Sequence, residues 1–229
     1  MVKTELLGRD FKQHTLELLS KDNFDLALSE LNRLPSGRLI NALFSFLYHT
    51  DEYVKWRAIT AMGSIVAEIA DKNIDQARVI MRRLMWNLND ESGGIGWGSP
   101  EAMGAILSRH EGLSKEYAHL LLSYAMEDGN YLEHEMLQHD LLRGIGRLSQ
   151  VRPELVKESV PYLMHYLKSA DAVVRGLAAW IMGLLKIEES RLHLEKLTGD
   201  GSELRMPKGN EIITKSVKDL AEEALEKLS

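Results

Sequence analysis

The chain has 229 residues, and its 28 Lys and Arg against 34 Asp and Glu give a formal charge of −6. That balance disfavours a nucleic-acid backbone as the main ligand, because such binding rests on clustered Lys and Arg. There is no cysteine, which excludes disulfides, thiolate metal sites and thiol nucleophiles and is compatible with a reducing compartment. The first ten residues lack the apolar run of a signal peptide, and the longest apolar stretch, 177–185, is far too short for a membrane span. A cytoplasmic chain without membrane contact is expected.

Helical spacing begins near residue 10, with helices expected over 10–20, 23–33, 37–49 and 52–70, broken by Pro35-Ser36-Gly37. Over 73–89, Ala77, Ile80, Met81, Leu84 and Leu88 fall on one helical stripe. A glycine-rich stretch, 89–101, comes next. Ser99, Pro100 and Glu101 then read as a cap, a first-turn proline and an acid opening a helix over 99–110. Ser114 is placed to cap 115–127. After the break at Asp128-Gly129-Asn130, Asn130 and Glu133 resemble a capping box for 131–149. Past Arg152-Pro153, the stripe Val156, Val160, Leu163 and Leu167 predicts a helix over 153–168, followed by 171–186, 188–198 and 214–228. Before the last helix, alternation on both sides of Pro207-Lys208-Gly209-Asn210 predicts a short β-hairpin within 199–214. Such a hairpin is marginal alone, so it should lean on a helix, as a cap to the end of the molecule.

Internal similarity organises these elements. Four segments, 54–63, 95–104, 137–146 and 174–183, align on their last residue, Gly63, Gly104, Gly146 and Gly183, spaced 41, 42 and 37 residues apart. Nine places before each glycine stands Val54, Ile95, Leu137 or Val174. One place before stands Met62, Met103, Ile145 or Met182, and two places after stands Ile65, Ile106, Leu148 or Leu185. The pattern resembles HEAT-like repeats, including the short type associated with phycobilin lyases, most clearly over 36–187. The resemblance implies an all-α fold, an α-α superhelix (armadillo-like α-solenoid) of about six helical hairpins, as a single domain over 1–229. It also implies that Asp51 and Asp171 open second helices and that second helices line a concave face. One helix pair cannot cover its own apolar face, so neighbours must complete it.

At 100° per residue, positions −9, −5, −2, −1 and +2 from the glycine share an arc that reads as core. Positions −7, −4 and −3 point nearly opposite: Trp56, Ile59, Thr60; Trp97, Pro100, Glu101; His139, Leu142, Arg143; Gly176, Ala179, Trp180. These either floor a groove or pack between adjacent second helices, with glycine permitting the approach. The stretch 89–101, with Asp90, Glu91, Gly93, Gly94, Trp97 and Glu101, is the first choice for a binding site, since a long glycine-rich turn between repeats costs free energy to order. Its acids and Trp97 suit a cationic group. Arg57, His139, Asp140, Arg143 and Trp180 complete the candidate surface.

His139-Asp140 occupies the place where HEAT-like deoxyhypusine hydroxylases carry iron-binding His-Glu pairs. The corresponding pairs here, Trp56-Arg57, Trp97-Gly98 and Gly176-Leu177, lack ligands, so that chemistry is not expected. A metal on His134, Glu135 and His139 is the weaker alternative, and Glu135 with His139 reads equally as an ion pair. No catalytic residue and no cofactor are assigned. The leading expectation is a non-catalytic scaffold that binds a protein or peptide on its concave face. The alternatives are an enzyme of the HEAT-like DNA glycosylase kind and a small-ligand or metal-binding repeat protein.

Overall fold

A computed structural model describes residues 8–89, 96–208 and 211–228. Among them are twelve α-helices and one two-stranded antiparallel sheet. The helices pair in chain order. α1 (Gly8–Leu19) and α2 (Phe24–Leu31) are followed by α3 (Ser36–Phe44) with α4 (Glu52–Lys72), α5 (Ile74–Leu88) with α6 (Ser99–Arg109), and α7 (Glu111–Ser123) with α8 (Glu135–Val151). A short, broken segment containing α9 (Val160–Leu163) precedes α10 (Ala172–Leu185), and α11 (Arg191–Leu197) and α12 (Val217–Leu228) close the chain. The hairpin, β1 (Glu203–Lys208) and β2 (Glu211–Ser216), is inserted between α11 and α12. Among the described residues no helix is long and apolar enough to cross a membrane.

The second helices form a continuous inner layer in which α4 packs on α6, α6 on α8, α8 on α10, and α10 on α12. The arc assigned to the core is buried: Val54, Ala58, Ala61, Met62 and Ile65 in α4, and Val174, Ala178, Ile181, Met182 and Leu185 in α10. Leu137, half-buried at the start of α8, is an exception. The repeat glycines serve helix contact rather than an open groove. A Cβ on Gly63 would stand 2.8 Å from the Ala105 carbonyl oxygen, and one on Gly183 2.7 Å from Ala224. A Cβ on Gly104 would overlap the backbone of Gly144, and one on Gly146 the ring of Trp180. Small residues let the backbones approach, and the larger side chains on either side bury the remaining apolar surface at about 1.5–3 kcal/mol for each large residue.

The caps expected from repeat resemblance are present. Asp51 accepts the N–H groups of Tyr53 and Val54, and Asp171 accepts that of Val174. Other boundaries need correction. The cap of α7 is His110, whose Nδ1 accepts the Leu113 N–H at 3.0 Å, while Ser114 turns its hydroxyl back to the His110 and Glu111 carbonyls. α8 is capped by His134, and the proposed partner Asn130 donates instead to Ser123 Oγ. Gly98, not Ser99, precedes the first turn of α6. Residues 153–168 are not one helix but three 3₁₀ segments around α9. Pro161, inside the segment, lacks an N–H and its ring crowds the carbonyl four residues back, which prevents the ladder from running through. β2 extends to Ser216, so α12 starts three residues later than the expected 214.

Candidate functional site

The hairpin does not cap the end of the array but crosses the inner layer. Its root is tied on both sides. Arg175 of α10 donates to Asp200 Oδ2 from Nε at 3.0 Å and Nη2 at 2.6 Å, Lys218 N–H donates to the Asp200 carbonyl, and Val217 N–H donates to that of Ser202. Leu204 and Met206 are buried. Gly176 provides the notch for Leu204, since a Cβ there would lie 2.7 Å from its methyl. Arg205 reaches Glu52 at the start of α4 (2.5 Å), and Arg143 of α8 donates to the Arg205 carbonyl at 3.2 Å.

A cavity therefore lies on each side of the hairpin. The smaller, about 330 Å³, includes Trp180, Arg147, Met206, Ile213 and Lys215 in its wall. The larger, about 690 Å³, lies over the N-terminal ends of α4, α6, α8 and α10. Its apolar wall contains Trp56, Ile59, Trp97, Met136 and Val173, and the hairpin closes one side with Arg205, Pro207, Ile212 and Thr214. Tyr48, Trp97 and Met136 are among the exposed large apolar side chains, whereas Trp56 is only 7% exposed.

Most charged groups around the larger cavity are already engaged. Lys55 reaches Asp140 Oδ1 at 2.8 Å, and Arg143 lies 3.8 Å from the same oxygen. The Gly98 N–H donates to Asp140 Oδ2 at 2.6 Å. Glycine is required at this position because its φ is +77° and the Leu47 backbone closes over it. Glu101 Oε1 accepts from Arg147 Nε (3.1 Å) and Nη2 (2.8 Å). His139 Nε2 is 3.0 Å from Asp171 Oδ1, at ion-pair distance but off the line of a hydrogen bond. Burial would raise the Asp171 carboxyl, but the Val174 N–H and His139 together hold it below its ordinary range.

The expected site residues thus divide. Trp56, Trp97, Glu101, His139 and Arg143 line the larger cavity, and Trp180 lines the smaller. Asp140 is not a wall residue: it is fully buried and ties α4 and the α6 turn to α8. Arg57 also leaves the set, since its Nη1 donates to the Leu19 and Lys21 carbonyls and its guanidinium covers Phe24. Asp90, Glu91, Gly93 and Gly94 lie outside the described residues. The metal alternative on His134, Glu135 and His139 fails. His134 caps α8 beside the Trp97 ring, His139 faces Asp171 rather than Glu135, and no group of three metal-ligating side chains gathers among the described residues.

Tyr48, Lys55, Met136, Arg147 and Arg205 were not anticipated. A signal existed for part of this set: Met136, His139, Arg143, Arg147 and Gln150 form one partly exposed stripe of α8 at spacings of three and four.

No family model matches the sequence. An uncharacterized protein of Archaeoglobus fulgidus is 30% identical over 123 residues, 52% of this chain and 56% of that protein, so the match spans just over half the length of this curated relative. Among solved structures, an engineered protein matches with a TM-score of 0.53 at 18% identity, covering 95% of this chain and 96% of that one. A designed armadillo repeat protein in complex with the peptide (KR)4 gives 0.52 at 18% identity, over 94% and 98%. A computationally designed armadillo repeat protein for modular peptide recognition gives 0.51 at 17%, over 94% and 99%. The chain folds as an armadillo- and HEAT-like repeat solenoid. At these identities the likeness is one of fold, and the solenoid's inner layer is where the two cavities lie.

Proposed function

We propose that this solenoid is a non-catalytic, cytoplasmic binding module that takes a segment of a partner protein in the larger cavity of its inner face. The observation that carries the reading is an open cavity of about 690 Å³ whose charged wall residues are mostly held in ion pairs while aromatic and apolar side chains stand exposed around it. Aromatic anchors surrounded by satisfied polar groups are what a protein-binding hot spot requires. The designed armadillo repeat protein with a bound peptide supports the use of this fold for such a role. The wall holds Lys55, Arg143 and Arg205 beside Glu52, Glu101 and Glu203. That composition forms no positive strip and weighs against the glycosylase-like alternative.

The volume also lies in the range of small-ligand pockets, about 300–1,000 Å³, which favours a second reading. That reading is a flat, mainly apolar ligand of the sort suggested by resemblance to the short, phycobilin-lyase type of repeat.

Affinity capture with wild type and a Tyr48→Ala/Trp97→Ala variant tests the first reading, with melting measured in parallel. A partner retained by wild type and lost by a normally melting variant supports it. A partner retained equally by both sinks it. Recovery of a bound chromophore or other small apolar molecule instead favours the second reading.

A further inference from the structure

Along its outer edge β1 leaves backbone N–H groups unpaired beside the larger cavity. In the hairpin Arg205 lies opposite Thr214, Met206 opposite Ile213, and Pro207 opposite Ile212. Along such a ladder, residues alternately exchange both backbone hydrogen bonds with the facing strand and turn both groups outward. Three observations set the phase here. Pro207 has no N–H to contribute. The Arg205 carbonyl accepts from Arg143, which lies outside the hairpin. Ser216, opposite Glu203, donates its N–H outward to Asp219 Oδ2. Glu203, Arg205 and Pro207 therefore turn their backbones away from β2. The Glu203 and Arg205 N–H groups have no acceptor outside the hairpin among the described residues, and both residues line the cavity.

Beside this edge, Lys55 is matched to Asp140, Glu101 to Arg147, and Arg205 to Glu52, with Glu203 exposed to solvent. The large apolar side chains exposed around the cavity are Tyr48, Trp97 and Met136. A charged side chain entering among Tyr48, Trp97 and Met136 would find Lys55, Glu101 and Arg205 already matched, whereas an apolar one needs no counter-charge.

We propose that an extended, uncharged segment of a partner protein adds to β1 as a third strand and places one large apolar side chain among Tyr48, Trp97 and Met136. Main-chain pairing supplies affinity in this mode, and the pocket for alternate side chains supplies selectivity. Pro207 stops the pairing toward the hairpin tip, so the added strand is short and centred on Glu203 and Arg205. This mode rests on the peptide-binding reading above and narrows it.

The probe is a set of linear peptides selected from a displayed random library against the wild-type chain, with affinity read by fluorescence anisotropy. Arg205→Pro removes the outward N–H and leaves the hairpin's own bonds intact. Arg205→Ala removes the ion pair to Glu52 and keeps the N–H. With R205A as the reference for loss of the side chain and its ion pair, affinity is expected to fall by about a further fivefold or more in R205P. In the wild type, bound peptide is expected to slow hydrogen exchange at the Glu203 and Arg205 amides, a readout that does not depend on how well R205P folds. Equal losses in the two variants together with unprotected amides overturn strand addition, while peptides that still need Trp97 leave the binding reading in place. Peptides indifferent to Trp97→Ala, or a library that yields none while indole binds the cavity, overturn both.

Discussion

The inner and outer layers of this solenoid are built from one repeat but held by different means. The inner helices α4, α6, α8, α10 and α12 touch through backbone and small side chains, so Gly63 meets Ala105 and Gly104 meets Gly144. The outer layer tolerates breakage and exposure. It includes the four-residue α9 between 3₁₀ turns, and on α5 it leaves Trp86 80% and Val79 57% exposed. Close backbone approach leaves an inner position almost no alternative residue. Packing through one amphipathic stripe leaves an outer helix many.

The sharpest way to break this contrast is at the inner tie. Asp140→Ala strands Lys55 and the Gly98 N–H, and is expected to cost about 3 kcal/mol, the low end for a broken buried pair because Lys55 still reaches solvent. Urea denaturation would measure the loss. Gly104→Ala should cost about 2–3 kcal/mol, since the backbone of Gly144 cannot move aside as a side chain could. The paired control, Gly37→Ala at the start of outer helix α3, meets nothing within 4 Å and should gain about 0.5–1 kcal/mol.

A smaller effect is expected at the start of α10. The Asp171 carboxyl lies below its ordinary range when folded, so its contribution is complete above the unfolded value, about 3.9, and is lost as pH falls through the depressed folded value. Asp171→Asn should therefore be less stable than wild type at pH 7, with the gap narrowing below about pH 4. Stability curves at neutral and acid pH would show it. The smallest effect should come from the outer surface, where Val79→Ser changes stability by no more than about 0.5 kcal/mol. A large loss there would erase the distinction between layers.

The same contrast explains what could be read from the sequence. Inner helices were legible because a Met or Ile before each glycine and an aliphatic after it repeat in register, and Asp51 and Asp171 are strong caps. The outer boundaries misled, because His110 and His134 cap where nearby Ser114 and Asn130 are the better cap formers in isolation. Pro161 interrupts, within 153–168, a stripe of valines and leucines that otherwise reads as one helix. For the site, Trp56 and Trp97 hold equivalent repeat positions, yet Trp56 sits within α4 and is buried while Trp97 lies in the turn before α6 and is 37% exposed. The hairpin was legible as a hairpin. Its position was not, because contacts such as Arg205 with Glu52 join distant parts of the chain and leave no local pattern.

That last contact changes how the array behaves as a whole. In an open stack each unit feels only its neighbours, and the ends can fray independently. Here an arm rooted between the two final helices reaches back to the first turn of α4. Loosening at the carboxy-terminal end therefore also withdraws a contact from α4, a long-range tie that, between half-exposed partners, contributes about 1 kcal/mol or less.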